Sequence, residues 1–398
     1  MSLRSDQRVP ELDGLRGIAI ALVVYFHCIV EPGLLLPFPF KWFNLTVGQT
    51  FWCGVDLFFV LSGFLIGGIL LDEKNSKHFF STFYMRRVCR ILPIYLAMVG
   101  GFLLAWFLLG SSFGYGRVTL GRLFLPPLPW YSYLTFTQNF VMGAKNSYAF
   151  FCGASWSLAI EEQFYLTLPL LIWLFPRRFI GYVVAAAAIG CIVARIALAS
   201  SGSINDVQVT ALPFCRADDL LFGVGCAILV RNRRFREFIA RSPAILYALA
   251  VLFGLLICAF IKGDIQCPRP IALTIWGLFF SAILMTASLF PHSPLCGVLR
   301  FRPLRALGTV SYGLYLIHDT VRIVLLRALV IHYRSADILL NDPSVVWWTM
   351  AFGIGFSILL AVLSWNLLEK HCIRLGKRFK YESTSLEYDR ADGTLLSK

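Results

Sequence analysis

The feature that most constrains this chain of 398 residues is a series of long apolar blocks. A helix needs about 20 mostly apolar residues to cross a bilayer, because its rise is about 1.5 Å per residue and the hydrocarbon is about 30 Å thick. Inside lipid every backbone amide must be bonded within its own segment, so such blocks form helices. They do not alternate between apolar and polar residues as the strands of a barrel do. The sequence therefore predicts an all-α integral membrane protein with about ten transmembrane helices. The blocks span residues 14–31, 50–71, 92–110, 156–176, 178–199, 213–230, 243–262, 270–290, 308–330 and 345–368.

The distribution of Lys and Arg predicts the orientation of these helices. With an even number of spans both termini lie on one side, and that side carries the dense basic clusters. The opposite side carries Lys41, Arg117, Arg122, Lys145, Lys262, Arg269 and Arg334. Cytoplasmic loops are enriched in Lys and Arg, so both termini are predicted to be cytoplasmic. The same bias accounts for the net charge of +14, and no nucleic-acid partner is predicted.

The chain is predicted to form one membrane domain over residues 1–371, followed by a basic and polar cytoplasmic tail over residues 372–398. The eleven cysteines are scattered, without a CxxC pair or a nearby histidine cluster, so no metal site is predicted. One disulfide remains an open alternative among Cys53, Cys152 and Cys267, which fall near the predicted outer side.

Ionisable residues inside the predicted spans are candidates for function, because charge in hydrocarbon is costly. Arg16 and His27 in the first span are eleven residues apart, which on an α-helix places both on one face, about 16 Å apart along the axis. An imidazole there can exchange a proton near neutral pH, as a hydroxyl requires in order to attack a carbonyl. The alternative is a structural histidine in a helix interface, with an arginine that reaches the membrane surface.

The segment SWSLAIEEQFY at the head of the fourth span combines adjacent carboxylates with aromatic rings. Glu161 and Glu162 point about 100° apart, so the two cannot face the same cavity. One carboxylate could orient an imidazole or bind a hydroxylated substrate, while Trp156, Phe164 and Tyr165 could stack on a sugar. The alternative is an aromatic belt at the membrane interface with a solvated glutamate pair.

A basic run at the cytoplasmic end of the third span, FYMRRVCRILPIY, is a candidate phosphate site. Arg86 and Arg90 are four residues apart and stack on one side of a helix, with Arg87 at the flank. Guanidinium groups are permanently charged and bind phosphate through two hydrogen bonds. The alternative is topology alone, since basic residues at cytoplasmic helix ends are expected in any such protein.

Further charged residues fall at membrane depth in the second, sixth and ninth predicted spans. They are Asp56, Arg216, Asp218, Asp219, His318 and Asp319. Arg195, Arg322 and Arg327 are expected to be their partners or to extend to the membrane surface. Asp56 could instead lie at the outer membrane boundary, where water solvates it. Gly63 could simply permit another helix to approach closely. The sequence contains no Gly-rich phosphate loop, GxSxG elbow or HExxH motif.

Five of these motifs, in the same order, resemble those of the acyltransferase-3 family of bacterial membrane proteins. ELDGLRGIAIALVVYFH resembles the family's opening, and GVDLFFVLSGFL resembles its second-span signature. RRVCRILPIY resembles an Arg-x-x-Arg element, SWSLAIEEQFYLTLP fits a Ser-Leu-x-x-Glu-x-x-Phe-Tyr pattern, and SYGLYLIHDTV resembles a late-span element. The candidate residues within these motifs are Arg16, His27, Arg87, Arg90, Glu161 and His318.

The resemblance implies transfer of an acyl group, expected to be acetyl, from cytoplasmic acyl-CoA to a hydroxyl of an extracytoplasmic or envelope glycan. The protein would then be a multi-pass enzyme of the bacterial inner membrane, surrounded by membrane lipids. It implies that acetyl-CoA docks with its phosphates near Arg86, Arg87 and Arg90, and that the pantetheine arm passes Arg16. His27 would be the general base, or would carry the acyl group as an acyl-histidine.

For the acceptor, the resemblance implies a carbohydrate or glycolipid bound near Trp156, Tyr165 and His318, with Glu161 orienting either His27 or the acceptor. Family members often end the last span with a Glu-Lys-Pro turn, whereas residues 367–372 read LLEKHC, a change expected to loosen the helix stop without touching the chemistry. Some members carry a fused SGNH-type domain. At 398 residues this chain is expected to complete transfer within its membrane domain or with a separate partner.

Two other classes of function remain open from the sequence. A transporter or flippase for a polar or lipid-linked solute would line a pathway with the intramembrane charges, although no repeat symmetry or matched pair of broken helices supports it. A receptor or assembly subunit would tolerate substitutions at Arg16 and His27. The acceptor, the acyl length and the oligomeric state are not predicted by the sequence.

Overall fold

The computed structural model of the chain describes residues 9–30, 40–109, 128–149, 152–263, 268–332 and 343–382. Helices account for 86% of the structure, and the described residues contain no β-strand, which confirms the all-α integral membrane fold. Ten helices within these ranges are long, and each overlaps one of the predicted apolar blocks. They are α1 (Pro10–Tyr25), α2 (Gly54–Asp72), α3 (Phe79–Leu109), α4 (Ser155–Leu174), α5 (Arg177–Ser200), α6 (Pro213–Arg231), α7 (Ala244–Lys262), α8 (Arg269–Leu289), α9 (Ser311–His332) and α10 (Pro343–Ser364).

Shorter segments connect and extend these helices. Two of them are π-helical turns, Phe26–Val30 after α1 and Trp365–Glu369 after α10, and the second continues into α11 (Lys370–Gly376). The others are Phe40–Thr46, the 3-10 turn Gly48–Cys53, Trp130–Leu134, Gln138–Lys145, Asp206–Ala211, Arg233–Arg241, Pro294–Leu299 and Arg302–Thr309. The predicted cytoplasmic side contains the start of α1, the end of α2 and the start of α3, and is called the basic end below.

Seven helical segments in the described residues are long and apolar enough to cross a membrane. The long helices outside that set are α4, α6 and α9. These three carry the pair Glu161 and Glu162, the charged run of α6, and His318 with Asp319. Charged residues within these three helices thus lower their resemblance to simple apolar spans. A total of ten spans with cytoplasmic termini stays a prediction.

Helix α3 extends further than the sequence predicted. It begins at Phe79, whereas the apolar block begins at residue 92, because the basic run at residues 86–90 continues the same helix beyond the apolar segment. Helical hydrogen bonding requires no apolar side chains, so hydropathy alone placed this boundary wrongly. Pro93 lies inside the helix, where it removes one backbone hydrogen bond.

Helices α2 and α6 pack together through glycines. A Cβ atom on Gly63 would lie 1.8 Å from the Leu220 carbonyl oxygen, and one on Gly223 would lie 2.1 Å from the Val60 carbonyl oxygen. These distances are far below van der Waals contact, so the crossing requires glycine on both helices. The interpretation that Gly63 permits close helix approach is confirmed.

We therefore expect Gly223→Ala to lower the free energy of unfolding by about 1–3 kcal/mol, since the added methyl group forces α2 and α6 apart. Gly225→Ala on the same helix is the matched control. Its Cβ would meet no atom within 4 Å, and alanine is the better helix former, so no loss is expected. Thermal unfolding of both purified variants in detergent measures the difference, and equal melting temperatures would contradict this packing.

The charges of α2, α5 and α6 pair with one another inside the bundle. Both guanidinium Nη atoms of Arg195 donate to the carboxylate of Asp218 at 2.8 Å, and Arg216 forms ion pairs with Asp56 and Asp219. All five side chains are buried. Asp56 is therefore not solvated at a membrane boundary, and the expectation that Arg195 serves as a partner is confirmed. Paired burial of this kind satisfies charges that hydrocarbon cannot solvate.

The chain beyond α11 folds back against the start of α3. The Thr82 hydroxyl donates to the Lys380 carbonyl oxygen at 3.1 Å, and the Lys77 amide donates to that of Glu382 at 3.2 Å. The first part of the predicted tail is thus packed on the bundle. Residues 383–398, together with Cys267, Arg117, Arg122 and Arg334, lie outside the described residues. Cys53 and Cys152 are free thiols.

Candidate active site

A cavity of about 630 Å³ extends into the bundle from the basic end. At the basic end its lining includes the exposed residues Arg374 and Lys377, and its inner wall includes Ser157 and Tyr315. Seven basic and three acidic side chains line it: Arg16, Arg87, Arg90, Arg231, Lys370, Arg374 and Lys377, and Asp13, Glu161 and Glu369. Because the basic groups outnumber the acidic ones, the cavity suits an anionic ligand.

The arginines of α3 divide between two environments. Arg87 and Arg90, three residues apart, line the cavity, and the buried Nε of Arg87 has no hydrogen-bond partner in the described residues. The Arg87 guanidinium lies 6.0 Å from the ring centroids of Phe83 and Tyr165. A buried guanidinium N–H without a partner is costly unless a ligand satisfies it. Arg87 is therefore a candidate contact for a bound anion.

Arg86 lies outside this cavity lining, although the sequence grouped it with its neighbours. Its Nε donates to the Phe379 carbonyl oxygen at 2.9 Å, and its guanidinium lies 5.0 Å from the ring centroid of Tyr381. Burial raises the pKa of the Tyr381 phenol to about 12, so the ring stays neutral at physiological pH. In this structure Arg86 holds the C-terminal segment against α3.

The inner wall of the cavity contains a short hydrogen-bonded chain. The Tyr165 hydroxyl donates to the Glu161 carboxylate at 3.1 Å and lies 2.5 Å from the Ser62 hydroxyl. Glu162 is not among the lining residues, so the two carboxylates separate as their helical spacing requires. Trp156 also lies apart from the cavity lining, with its ring centroid 6.2 Å from that of Phe59 and 6.4 Å from that of Tyr148.

Two histidines from opposite ends of the sequence meet beside this inner wall. His318 Nε2 on α9 lies 3.3 Å from His27 Nδ1, which lies in the π turn after α1. His318 Nδ1 is 3.0 Å from the Leu314 carbonyl oxygen, and His27 Nδ1 is 3.0 Å from that of Val23. The phase calculation for Arg16 and His27 assumed a continuous α-helix, whereas the α-helix ends at Tyr25. Arg16 lines the cavity, and His27 is not among its lining residues.

For neutral imidazoles, these contacts specify which ring nitrogen of each histidine carries the proton. A backbone carbonyl only accepts, so His318 carries its proton on Nδ1 and its Nε2 is an acceptor. His27 likewise carries its proton on Nδ1, which faces both the Val23 carbonyl and His318 Nε2. The lone pair of His27 is therefore on Nε2, and this side chain is half-buried whereas His318 is fully buried. This tautomer suits His27 as a proton acceptor or nucleophile.

Tyr315 connects the cavity to the histidine pair. Its hydroxyl lies 2.6 Å from the Ser157 hydroxyl and donates to the Ala154 carbonyl oxygen at 3.0 Å, and its ring centroid lies 5.9 Å from that of His318. Glu161 bonds to Tyr165, whereas the hydrogen bonds of His27 in the described residues are to Val23 and His318. The structure thus brings His27 together with His318 and leaves Glu161 at the cavity wall.

Comparison with known proteins identifies the family to which this chain belongs. The acyltransferase-3 family, described as an acyltransferase domain, matches residues 9–366. This chain belongs to the acyltransferase-3 family. The histidine pair and most of the cavity lining lie within the matched residues, whereas the lining residues from Glu369 to Lys377 follow them.

Several curated proteins resemble this acyltransferase-3 chain. Peptidoglycan O-acetyltransferase OatA of Listeria monocytogenes is 27% identical over 388 residues, covering 92% of this chain and 56% of the relative. Putative peptidoglycan O-acetyltransferase YrhL of Bacillus subtilis is 28% identical over 382 residues, covering 91% and 54%. O-acetyltransferase OatA of Staphylococcus aureus is 27% identical over 335 residues, covering 79% and 50%. The chain spans about half the length of these relatives. No solved structure matches it.

Sequence reasoning missed part of the cavity in this acyltransferase-3 domain. The LLEKHC segment was expected to affect only the helix stop, yet Glu369 and Lys370 line the cavity, followed by Arg374 and Lys377. Glu369 is buried and accepts a hydrogen bond from the Ser364 hydroxyl at 2.9 Å. The spacing of the three basic residues was visible in the sequence, but it was interpreted as topology. In the described residues, no group of three or more His, Cys, Asp or Glu side chains could hold a metal ion.

Proposed function

We propose that this chain is a membrane-embedded O-acyltransferase that moves an acyl group, expected to be acetyl, from cytoplasmic acyl-CoA to a hydroxyl of a cell-envelope glycan. The observation that carries the proposal is the basic cavity whose inner residue Tyr315 packs beside the His27–His318 pair. Family membership and the O-acetyltransferase names of the relatives support the reaction type. The inner membrane of a bacterium is the proposed location.

The donor site is proposed to be the cavity itself. CoA is an anionic ligand with a long neutral arm, and the cavity combines basic groups at its opening with an apolar and hydroxyl-bearing inner wall. The phosphates would contact Arg87 and Arg90, and the thioester would lie near Ser157 and Tyr315. Charge-assisted hydrogen bonds of this kind are roughly twice as strong as neutral ones.

The proposed chemistry uses the lone pair on His27 Nε2. As base, it takes the hydroxyl proton while the acceptor oxygen attacks the thioester carbonyl carbon; the C–S bond breaks, and the CoA thiolate leaves and is then protonated. In the covalent variant, Nε2 attacks the carbonyl first and the C–S bond breaks, which releases the CoA thiolate. The acceptor hydroxyl then attacks the acyl carbon, its proton passes to the thiolate, and the C–N bond breaks to restore the neutral imidazole. In both routes the ring becomes positively charged, which His318 Nε2 stabilises by accepting the Nδ1 proton in a hydrogen bond.

The acceptor is proposed to be a carbohydrate that approaches from the end of the bundle opposite the basic end. Two of the relatives are named for peptidoglycan O-acetylation, which makes a glycan the expected class. Trp156 and Tyr148 form an aromatic pair near the start of α4 that could stack on a sugar ring. Tyr165 lines the donor cavity instead, so we assign it to the donor side of the reaction.

Titration of acetyl-CoA into the purified protein tests the donor assignment. We expect saturable binding by calorimetry, and about 10–150-fold weaker affinity in Arg87→Ala, because a hydrogen bond to a charged group contributes about 1.5–3 kcal/mol. Arg178→Ala is the control, since Arg178 is exposed and its guanidinium packs on the Phe179 ring. A folded wild-type sample that binds no acyl-CoA would contradict the proposal and favour the transporter alternative.

A further inference from the structure

The last helix presents three basic side chains along one face. Lys370, Arg374 and Lys377 are spaced four and three residues apart, so they project from the same side of α11 and its C-terminal cap, and all three line the cavity. Lys370 is half-buried, whereas Arg374 and Lys377 are exposed. They therefore form a cationic row at the opening, which we call the mouth cluster.

The mouth cluster differs from Arg16 and Arg231 in having no carboxylate partner. Arg231 makes a bidentate ion pair with Asp72 at 2.7 Å, and Arg16 is paired with Asp13 at 2.9 Å. The Lys370 amino group donates to the neutral Asn366 side chain at 2.9 Å. Within the described ranges, no salt bridge involves any of the three mouth residues. Their positive charge is therefore available to a ligand.

The position of the mouth cluster is held by packing against α3. A Cβ on Gly376 would lie 3.0 Å from Cys89 Cβ and 3.5 Å from Arg86 Cα, so α11 closely approaches that helix. The hydrogen bond from Arg86 to the Phe379 carbonyl fixes the chain directly after it. Because these side chains are carried by a packed helix, ligand binding costs less conformational entropy than it would with a mobile tail.

The cavity thus contains two separate groups of cations, Arg87 with Arg90 on α3 and the mouth cluster on α11. CoA likewise carries two separate anionic groups, the diphosphate, which leads to the pantetheine arm, and the 3′-phosphate of the ribose, which lies beyond it. The thioester must point inward, toward Ser157 and Tyr315. The 3′-phosphate is then the anionic group nearest the opening.

We infer that the mouth cluster of Lys370, Arg374 and Lys377 is a subsite for the 3′-phosphate of CoA, distinct from the diphosphate contacts of Arg87 and Arg90. This inference rests on the proposed function, in which acyl-CoA is the donor. Basic residues at the mouth then select CoA over donors that lack the terminal phosphate, while the α3 arginines bind both equally.

Paired titrations of acetyl-CoA and acetyl-3′-dephospho-CoA into the full chain test this subsite. We expect the wild-type protein to prefer acetyl-CoA by about tenfold or more. The double variant Arg374→Gln/Lys377→Gln should lose most of that preference while its affinity for the dephospho ligand stays the same. Arg87→Gln should weaken both ligands by a similar factor and preserve the preference.

Arg378→Gln/Lys380→Gln is the matched control, because it removes the same charge from the same segment at residues outside the cavity lining. Equal loss of preference in both double variants would show a general electrostatic field and overturn the subsite. Wild-type affinities that do not differ between the two ligands would overturn it while leaving the proposed function intact. Failure to bind either ligand would instead contradict the proposed function.

A phosphate could also reach the mouth cluster as a lipid headgroup. The thermal stability of wild type and of Arg374→Gln/Lys377→Gln, compared in nanodiscs of phosphatidylglycerol and of phosphatidylcholine, separates the two sources. We expect the variant to respond to lipid charge as the wild type does. A lost response to phosphatidylglycerol, with the CoA preference unchanged, would assign the cluster to lipid and overturn the inference.

Discussion

Replacing His27 with Ala is expected to reduce acetyl transfer by about 10²–10⁴-fold, the range that general acid–base catalysis contributes. The substitution removes the Nε2 lone pair that the proposed reaction requires. Acetyl-CoA affinity should remain close to that of the wild type, because His27 is not among the residues that line the donor cavity. The assay is release of free CoA thiol and label transfer to de-O-acetylated peptidoglycan fragments in proteoliposomes.

The control for this experiment is His292→Ala, which removes an exposed imidazole and should leave transfer unchanged. Substantial transfer by a folded His27→Ala protein would exclude His27 as base or nucleophile. Lost acetyl-CoA affinity in the same variant would instead indicate a role in the donor site, contrary to the separation of His27 from the cavity.

Replacing His318 with Leu is expected to lower kcat by about 10–150-fold with little change in KM for acetyl-CoA. Its Nε2 accepts from His27 Nδ1, and this hydrogen bond becomes charge-assisted as His27 gains a proton or an acyl group. Such a bond contributes about 1.5–3 kcal/mol, and about 1.4 kcal/mol corresponds to a factor of ten in rate. His318 is thus a positioning residue that acts through His27.

His318→Gln supplies the matched test, because its amide oxygen can again accept a hydrogen bond from His27. We expect it to recover part of the lost kcat, which a purely structural role of His318 would not predict. Equal activity of the Leu variant and the wild type would show that the histidine contact has no part in the reaction.

The helices of this protein could be predicted from the sequence because hydrocarbon imposes a strong and local requirement. Every long apolar block forms a helix, since the backbone has no other way to satisfy its amides in lipid. The two wrong predictions of helix geometry concern segments to which that requirement does not apply. The start of α3 at Phe79 lies outside the apolar block, and the π turn at Phe26–Val30 changes the helical phase at His27.

The candidate site could be predicted only in part. Family motifs selected Arg87, Arg90 and Glu161, and all three line one cavity. The i, i+4 argument selected Arg86 instead of Arg87, because helical spacing shows which side chains share a face but not which face meets a cavity. Glu369 and the mouth cluster were missed for a related reason. In the sequence, basic residues after the last span are explained equally well by the enrichment of Lys and Arg in cytoplasmic segments. Only the position of α11 in the fold shows that they line the cavity.

The amino-acid sequence by itself determined the membrane fold, the identity of the intramembrane charges and the resemblance to the acyltransferase-3 family. These three properties depend only on local composition and residue order, so they are the same however the helices pack. Tertiary structure alone decided that His27 meets His318 across 291 residues of chain, and that Asp56 pairs with Arg216 across 160. Contacts between distant segments depend on how the helices cross. Glycines such as Gly63 and Gly223 allow α2 and α6 to approach closely, and the sequence of one helix does not show which helix it will pack against.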